Sequence, residues 1–284
     1  MPGPPSRTLD ALTSATLKHL RDEWWDDAFT GFLVERLRPR AGNRILDVGC
    51  GTGAVELRLA RLRIPQVTLF GIDLLVDRAV VAEQQTDGHN LRASFAAADA
   101  CQLPFSEGTF DSTFCVAVLQ HIPNASEALR EFMRVTIPGG RILAVEPDNL
   151  ARYWYSSSQA GLDAYAASTR LFEAQAGSRG ESRQPRVGPR LPTLFAELGI
   201  ELLEVQLFPV SVSRIGSPSP AVWKSRRHAI RMALTGSEDH DVQRAGAEYL
   251  DLLGAYENEA SAAGRGFVEI QSTLLFAVVG QRAE

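Results

Sequence analysis

Lysine is almost missing from this chain: Lys18 and Lys224 are the only two, so arginine carries nearly all of the positive charge. Cysteine is nearly as scarce. Cys50, Cys101 and Cys115 are the full set. None stands at Cys-x-x-Cys or metal-ligand spacing, which excludes a disulfide framework and points to a reducing compartment. No apolar run is long enough to cross a bilayer. The N-terminal M-P-G-P-P-S-R-T-L-D lacks the apolar segment of a secretion signal. A soluble, cytoplasmic protein without membrane attachment is therefore expected. An excess of positive charge is lacking too: the formal net charge is −5 and the pI is near 5.6. That balance counts against a general nucleic-acid binder. What remains is ordinary globular composition, 45% hydrophobic and 22% charged over 284 residues. This length suits one large α/β domain with insertions, or two small domains.

Along the chain, helical spacing of apolar residues runs from about 8 to 38, with Leu12, Leu17, Leu20, Trp24, Phe29 and Phe32, and is punctuated by Pro39 and Gly42. Strands and helices then alternate. Strands are expected at 44–48, 67–72, 91–97, 110–118 and 141–145. Helices are expected at 54–64, 77–85 and 124–135, the last opened by Asn124 with Glu127 three residues on, a capping-box pattern. Pro138-Gly139-Gly140 reads as a tight turn. Alternation of this kind predicts right-handed crossovers and a doubly wound α/β fold with a mostly parallel sheet. Beyond Glu146 the pattern changes. Residues 150–190 read as a helical insertion, 191–216 as a return to the sheet, 217–264 as a second helical insertion and 265–284 as a final strand. The reading is a single domain in which the two helical insertions close over a core at 42–147.

The core opens on I-L-D-V-G-C-G-T-G, residues 45–53. A glycine turn between a strand and a helix brings a ligand close to the backbone, beside the free N–H groups of the helix. Gly49-Cys50-Gly51-Thr52-Gly53-Ala54 fits G-x-G-x-x-A, and Asp73 follows about 20 residues later, so a dinucleotide is one candidate. Asp47, two residues before the first glycine, argues otherwise. A carboxylate there repels a pyrophosphate and suits a ligand bearing positive charge, such as S-adenosylmethionine with its ammonium and sulfonium.

At this point several stretches, in order and in register, resemble one family. I-L-D-V-G-C-G-T-G resembles the first motif of class I S-adenosylmethionine-dependent methyltransferases. L-F-G-I-D-L resembles their second strand, A-A-A-D-A-C-Q-L-P-F-S-E-G-T-F-D their third-strand block, F-D-S-T-F-C-V-A-V-L-Q-H-I their fourth strand and its loop, and T-I-P-G-G-R-I-L-A-V-E-P the entry to the fifth. The resemblance covers about residues 42–147 and extends loosely to the last strands. It implies a seven-stranded sheet whose last strand is antiparallel, and S-adenosylmethionine as cofactor. It implies that Asp73 holds the two ribose hydroxyls, that Asp99 accepts from the adenine amino group while Ala100 meets the ring through its backbone, and that Leu74 covers one adenine face. Asp47, Gly49, Cys50, Gly51, Gly53 and Val116 complete the implied cofactor site. Ile137, where the family often has lysine, and the run around Arg78 depart from the pattern.

Methyl transfer from a sulfonium is an in-line displacement in which the protein aligns the acceptor and excludes water. His121, in the loop after the fourth strand, is the candidate base. Glu146 and Asp148, after the fifth strand, are the further candidates, as base or as partners of a cationic acceptor. The aromatics of R-Y-W-Y-S-S-S (152–158) offer stacking faces. Arg214, Lys224, Arg226, Arg227 and Arg231 form a basic run, suited to a solvated helix face, an acidic substrate or local RNA contact. The expected function is methylation of a small-molecule acceptor. The alternatives are an RNA or protein methyltransferase, a non-catalytic S-adenosylmethionine-binding protein, or an NAD-dependent oxidoreductase using the same turn. The acceptor atom and the oligomeric state are not legible in the sequence.

Overall fold

The computed structural model describes residues 27–61, 66–89, 91–178 and 186–284. Most of the expected first helix, with Trp24 and Trp25, lies outside these residues, as do Pro65 and the segment 179–185. The described residues form two compact units.

The first unit comprises residues 27–150, 186–209 and 274–284. It contains α1 (Asp27–Leu37), β1 (Arg44–Val48), α2 (Ala54–Arg61), β2 (Thr68–Asp73), α3 (Val76–Thr86), β3 (Arg92–Ala97), β4 (Phe110–Val116), α4 (Ala125–Val135) and α6 (Val187–Glu197). Three long strands pass through it: β5 (Thr136–Ser156), β6 (Ile200–Ile215) and β7 (Val268–Arg282). The strands form one seven-stranded sheet of order β3-β2-β1-β4-β5-β7-β6. It is mostly parallel with one antiparallel strand, as expected. β1 pairs parallel with β2 and with β4, β2 with β3, and β4 with β5. The order therefore reverses between β1 and β4, and ligands of open α/β sheets collect outside the strand ends at such a point.

The residues explain the layers. Ile45, Leu46 and Val48 of β1 are all buried, the near-continuous apolar run of a strand covered on both faces. Helix α4 buries Ala125, Ala128, Leu129, Phe132 and Val135, a stripe at helical spacing. They join Val187, Leu191, Leu194 and Phe195 of α6 in the same core. Arg134 of α4 donates to the carbonyls of Leu103 (2.9 Å) and Phe105 (2.7 Å), while Glu131 accepts from the Leu103 N–H at 2.8 Å. These bonds clamp the segment after β3 onto the helix. Asn124 precedes α4, but its side chain makes no cap; its Nδ2 donates to Glu127 Oε1 at 2.8 Å instead.

Strand β5 differs from expectation. It runs from Thr136 to Ser156 and passes through Pro138-Gly139-Gly140, where the register with β4 shifts between Phe110 and Ser112. The proline and glycines thus mark an irregularity within a strand rather than a turn before one. R-Y-W-Y lies on this strand, not in a helical insertion: Tyr153 and Tyr155 are exposed while Trp154 is partly buried between them, the alternation of a pleated strand.

The second unit comprises residues 151–178 and 210–273. Its helices are α5 (Gln159–Ser178), α7 (Pro220–Thr235) and α8 (His240–Ala263). Alanines at 160, 164, 245 and 260 contribute to its core, with Leu171, Trp223, Ile230, Leu253, Tyr256 and Phe267. Asp239 caps α8 by accepting from the N–H groups of Asp241 (2.8 Å) and Val242 (3.1 Å). A polar group lies inside this core. Glu269 is fully buried, and its Oε1 accepts from Arg226 (2.6 Å), Arg214 (3.0 Å) and Gln271 (2.9 Å), while Tyr256 donates to Oε2 at 2.5 Å. Burial works to raise the Glu269 pKa, but the hydrogen bond and charge of Arg226, with help from Tyr256 and Arg214, hold it below the usual carboxylate range.

A carboxylate whose pKa is lower in the folded chain stabilises the fold above its unfolded pKa of about 4.3 and ceases to do so as the pH falls through the folded value. Glu269→Gln should therefore destabilise the protein by about 3–5 kcal/mol at pH 7, because two guanidiniums lose their counter-charge. The loss should shrink as urea denaturation is repeated at pH 4 and below. A loss independent of pH would assign the effect to packing.

Candidate cofactor and acceptor site

The strand ends meet at the glycine turn after β1. Gly49, Gly51 and Gly53 all have positive φ, at 79°, 57° and 79°. Four of the five amides from Gly49 to Gly53 are used within the protein. Gly49 and Cys50 donate to the Ile72 carbonyl at 2.7 and 2.9 Å, and Gly53 donates to the Cys50 carbonyl at 3.1 Å. Gly51 donates to Asp73 Oδ2 at 3.0 Å. The turn is thus tied to the end of β2 rather than opened towards a phosphate, which needs backbone N–H groups aimed at it.

The missing side chains serve packing as well as ligand approach. A Cβ on Gly49 would lie 2.3 Å from Val118 Cγ2, and one on Gly53 would lie 3.2 Å from Ala82 of α3. Val118 belongs to the loop after β4, so Gly49 is the point where two strand ends touch.

Three acids are buried around the turn: Asp47 on β1, Glu56 in the first turn of α2, and Asp73 at the end of β2. Glu56 escapes a motif reading. The only signal for it is an acid in the first turn of a helix, where the macrodipole favours it. Asp73 Oδ1 accepts from the Leu75 N–H at 3.0 Å, and Arg78 Nη1 lies 3.7 Å away. Leu74 beside it is half exposed. Asp99 and Ala100 follow β3; Asp99 is exposed, and its Oδ1 accepts from the Cys101 N–H at 2.8 Å. Val116 closes β4 as a buried residue, and Cys50 is buried in the turn.

Ala117 follows at φ 57°, a left-handed conformation in a residue with a Cβ, and such strain collects at functional sites. The loop beyond it forms a short 3₁₀ turn, Leu119–His121, and His121 is exposed at its end. Glu146, expected as a candidate base, is fully buried at the edge of this loop. Its Oε1 accepts from the N–H groups of Val118 and Leu119, both at 2.7 Å, and Oε2 accepts from Gln120 at 3.3 Å. Three amides converge on one carboxylate. Asn149 Nδ2 adds a bond to Gln120 Oε1 at 2.7 Å. Asp148 is buried too, 3.3 Å from Arg186 Nη2. The structure thus brings Asp47, the turn, Asp73 and Val116 to neighbouring strand ends, and sets Glu146 beneath the loop rather than on its surface.

Comparison with known proteins agrees with this geometry. Residues 46–144 match a family described as a methyltransferase domain. The 27-O-demethylrifamycin SV methyltransferase of Amycolatopsis mediterranei is 33% identical over 173 residues, covering 57% of this chain and 60% of that protein. The ubiquinone/menaquinone biosynthesis C-methyltransferase UbiE of Pseudomonas putida is 36% identical over 126 residues, covering 40% of this chain and 46% of that protein. The chain thus spans less than two thirds of either relative. The crystal structure of the Bacillus halodurans protein BH2331 superposes with a TM-score of 0.57 at 20% identity, over 90% of this chain and 99% of that one, and so shares the fold.

The Gly49–Val118 contact gives a test of the site's construction. Gly49→Ala should lower stability by about 1–2 kcal/mol from the left-handed backbone and by a further 1–3 kcal/mol or so from the clash. Adding Val118→Ala should return the second part only. Chemical denaturation of the single and double variants reads both, and full recovery would show that φ at Gly49 is free to change. By motif order, turn geometry and the match over residues 46–144 together, this part of the chain resembles a methyltransferase domain.

Proposed function

We propose that this chain methylates a small-molecule acceptor by in-line displacement, with S-adenosylmethionine as donor. The observation that carries the reading is the commitment of four of the turn's five amides to the protein itself, beside three buried acids. That arrangement suits a ligand with cationic groups and hydroxyls and disfavours a pyrophosphate. The two relatives named above carry names of methyltransferases acting on small molecules, which supports an acceptor of that class over RNA or protein. Among the described residues no helix is long and apolar enough to cross a membrane.

When bound, S-adenosylmethionine supplies a methyl group already activated on a sulfonium. The chain's own residues then have four tasks. Asp73 accepts from the ribose hydroxyls: a carboxylate offers about four acceptor positions, and the amides of Gly51 and Leu75 take two of them. Asp99 accepts from the adenine amino group, with Ala100 along the ring edge and Leu74 over its face. Asp47, through its charge, favours the cationic end of the ligand, which rests on the turn of Gly49, Cys50, Gly51 and Gly53 with Val116 alongside.

His121 takes the acceptor's proton where one must be lost. Glu146 acts through this loop. A fully buried carboxylate that binds three amides is poorly placed to exchange protons with a substrate, and well placed to fix the loop that presents His121. It is a positioning residue in this reading.

Calorimetric titration tests the cofactor. S-adenosylhomocysteine should bind with micromolar affinity and NAD should not, and binding of NAD alone would overturn the reading. Asp73→Ala should weaken S-adenosylhomocysteine by about 10–100-fold, the cost of charge-assisted hydrogen bonds to hydroxyls. His121→Ala should leave that affinity intact while turnover of a methylated acceptor falls by about 10²-fold or more. Equal turnover would make His121 a loop residue only.

A further inference from the structure

We infer that the second unit contains a binding site for a small planar anion, a carboxylate or enolate, centred on the guanidinium of Arg226. This inference stands on that unit alone and does not depend on the methyl-transfer reading.

Trp154 Nε1, Trp223 Nε1 and Arg226 Nη1 are each buried from solvent and have no acceptor among the described residues. Trp223 is 2% exposed. A buried donor left unsatisfied costs about 1–3 kcal/mol, and native interiors rarely leave one. Here three cluster. The Arg226 Cζ lies 4.8 Å from the Trp223 ring centroid and 5.7 Å from that of Trp154. All three atoms are N–H donors, so the group that satisfies them is rich in acceptors.

Charge narrows the choice. Arg226 and Arg214 share one buried acid, Glu269, which leaves a surplus positive charge. The neighbouring phenols do not offset it. Tyr256 donates to Glu269, and burial and that bond push its pKa up. Burial likewise raises the pKa of Tyr249, against the pull of Arg226. Both are neutral at physiological pH, so an anion balances the cluster and a neutral ligand does not.

Shape narrows it again. Trp154 stacks on Tyr165 at 5.2 Å, and Trp223 meets Tyr256 edge-on at 5.0 Å. Flat aromatic walls around a guanidinium suit a planar, conjugated acid. A buried water is the competing occupant, since it also satisfies donors, but it leaves the charge unbalanced.

The test uses the full chain labelled with ¹⁵N at tryptophan. The chain has four tryptophans, and the indole signals of Trp154 and Trp223 are assigned by Trp154→Phe and Trp223→Phe, which keep a ring and remove one N–H each. Benzoate, and acetate as the bare carboxylate, are titrated at constant ionic strength, with benzylamine as the cationic control. The expected result is saturable movement of the Trp154 and Trp223 signals with benzoate, and no movement with benzylamine. Trp223→Phe should weaken benzoate about 3–10-fold, and Arg226→Gln by more than tenfold. If neither carboxylate moves these signals, or benzylamine moves them equally, the inference fails and the donors are met by a buried water only. S-adenosylhomocysteine titrated on the same sample reports the cofactor site separately, so failure of one reading is distinguishable from failure of the other.

Discussion

The carboxylate of Glu146 holds together the strand ends on which the rest of the first unit's site depends. It is fully buried, and a buried carboxylate is tolerated only when its oxygens are satisfied. Here the satisfying groups are consecutive amides of the loop after β4, Val118 to Gln120. That bond set ties β5 to β4. Val118, fixed in this way, occupies the space that a side chain at position 49 would need, and so ties β4 to β1. Gly51, two residues on, donates to Asp73 and ties β1 to β2. Four neighbouring strand ends are thus joined by one carboxylate, one apolar contact and a second carboxylate. The strained backbone of Ala117 sits within this chain of contacts, where the surrounding bonds hold it in place.

How much of this was legible in the sequence follows from the range of the interactions. The alternation of strands and helices over residues 42–147 is a local signal, and the sheet order follows from it by connection rules. The glycine turn and Asp47 stand within seven residues of one another, 47–53. The role of Glu146 does not show in its neighbourhood, because its partners are 26 to 28 residues earlier in the chain. Pro138-Gly139-Gly140 carries a strong local turn signal, and pairing with β4 overrides it with a register shift. R-Y-W-Y reads as the start of a helical insertion from its surroundings. Its aromatics favour a strand once β5 continues past the sheet's parallel part.

The basic run illustrates the same limit with larger energies. A helix bearing Lys224, Arg226, Arg227 and Arg231 reads as a solvated face, since charged residues are rarely buried without partners. For Arg227 that holds in part: its partner Glu257 is on α8 and both side chains keep contact with solvent. Arg226 departs from it, because Glu269 waits beneath it on β7. The carboxylate sits at the start of a strand, V-E-I-Q-S-T-L-L-F, between Val268 and Ile270, and an acid between two apolar residues there is the local trace of the buried pair. A pair of this kind adds little net stability over an apolar core, but breaking it is expensive, and losing Glu269 strips the partner from Arg214 as well as from Arg226.

Asp73 completes the argument about preorganisation. Its two oxygens are held by amides on either side, Gly51 from the turn and Leu75 from the start of α3. The carboxylate is therefore oriented before any ligand arrives, and no side-chain entropy is lost when hydroxyls are added to its remaining lone pairs. Arg78 approaches it at 3.7 Å without occupying a lone pair, because that distance is longer than a direct hydrogen bond. A free aspartate at a strand end binds the same hydroxyls but must first be ordered. Tying the acid to the turn removes that cost, and in the proposed reading makes the geometry of the glycine turn and the affinity for a ribose a single property of the structure.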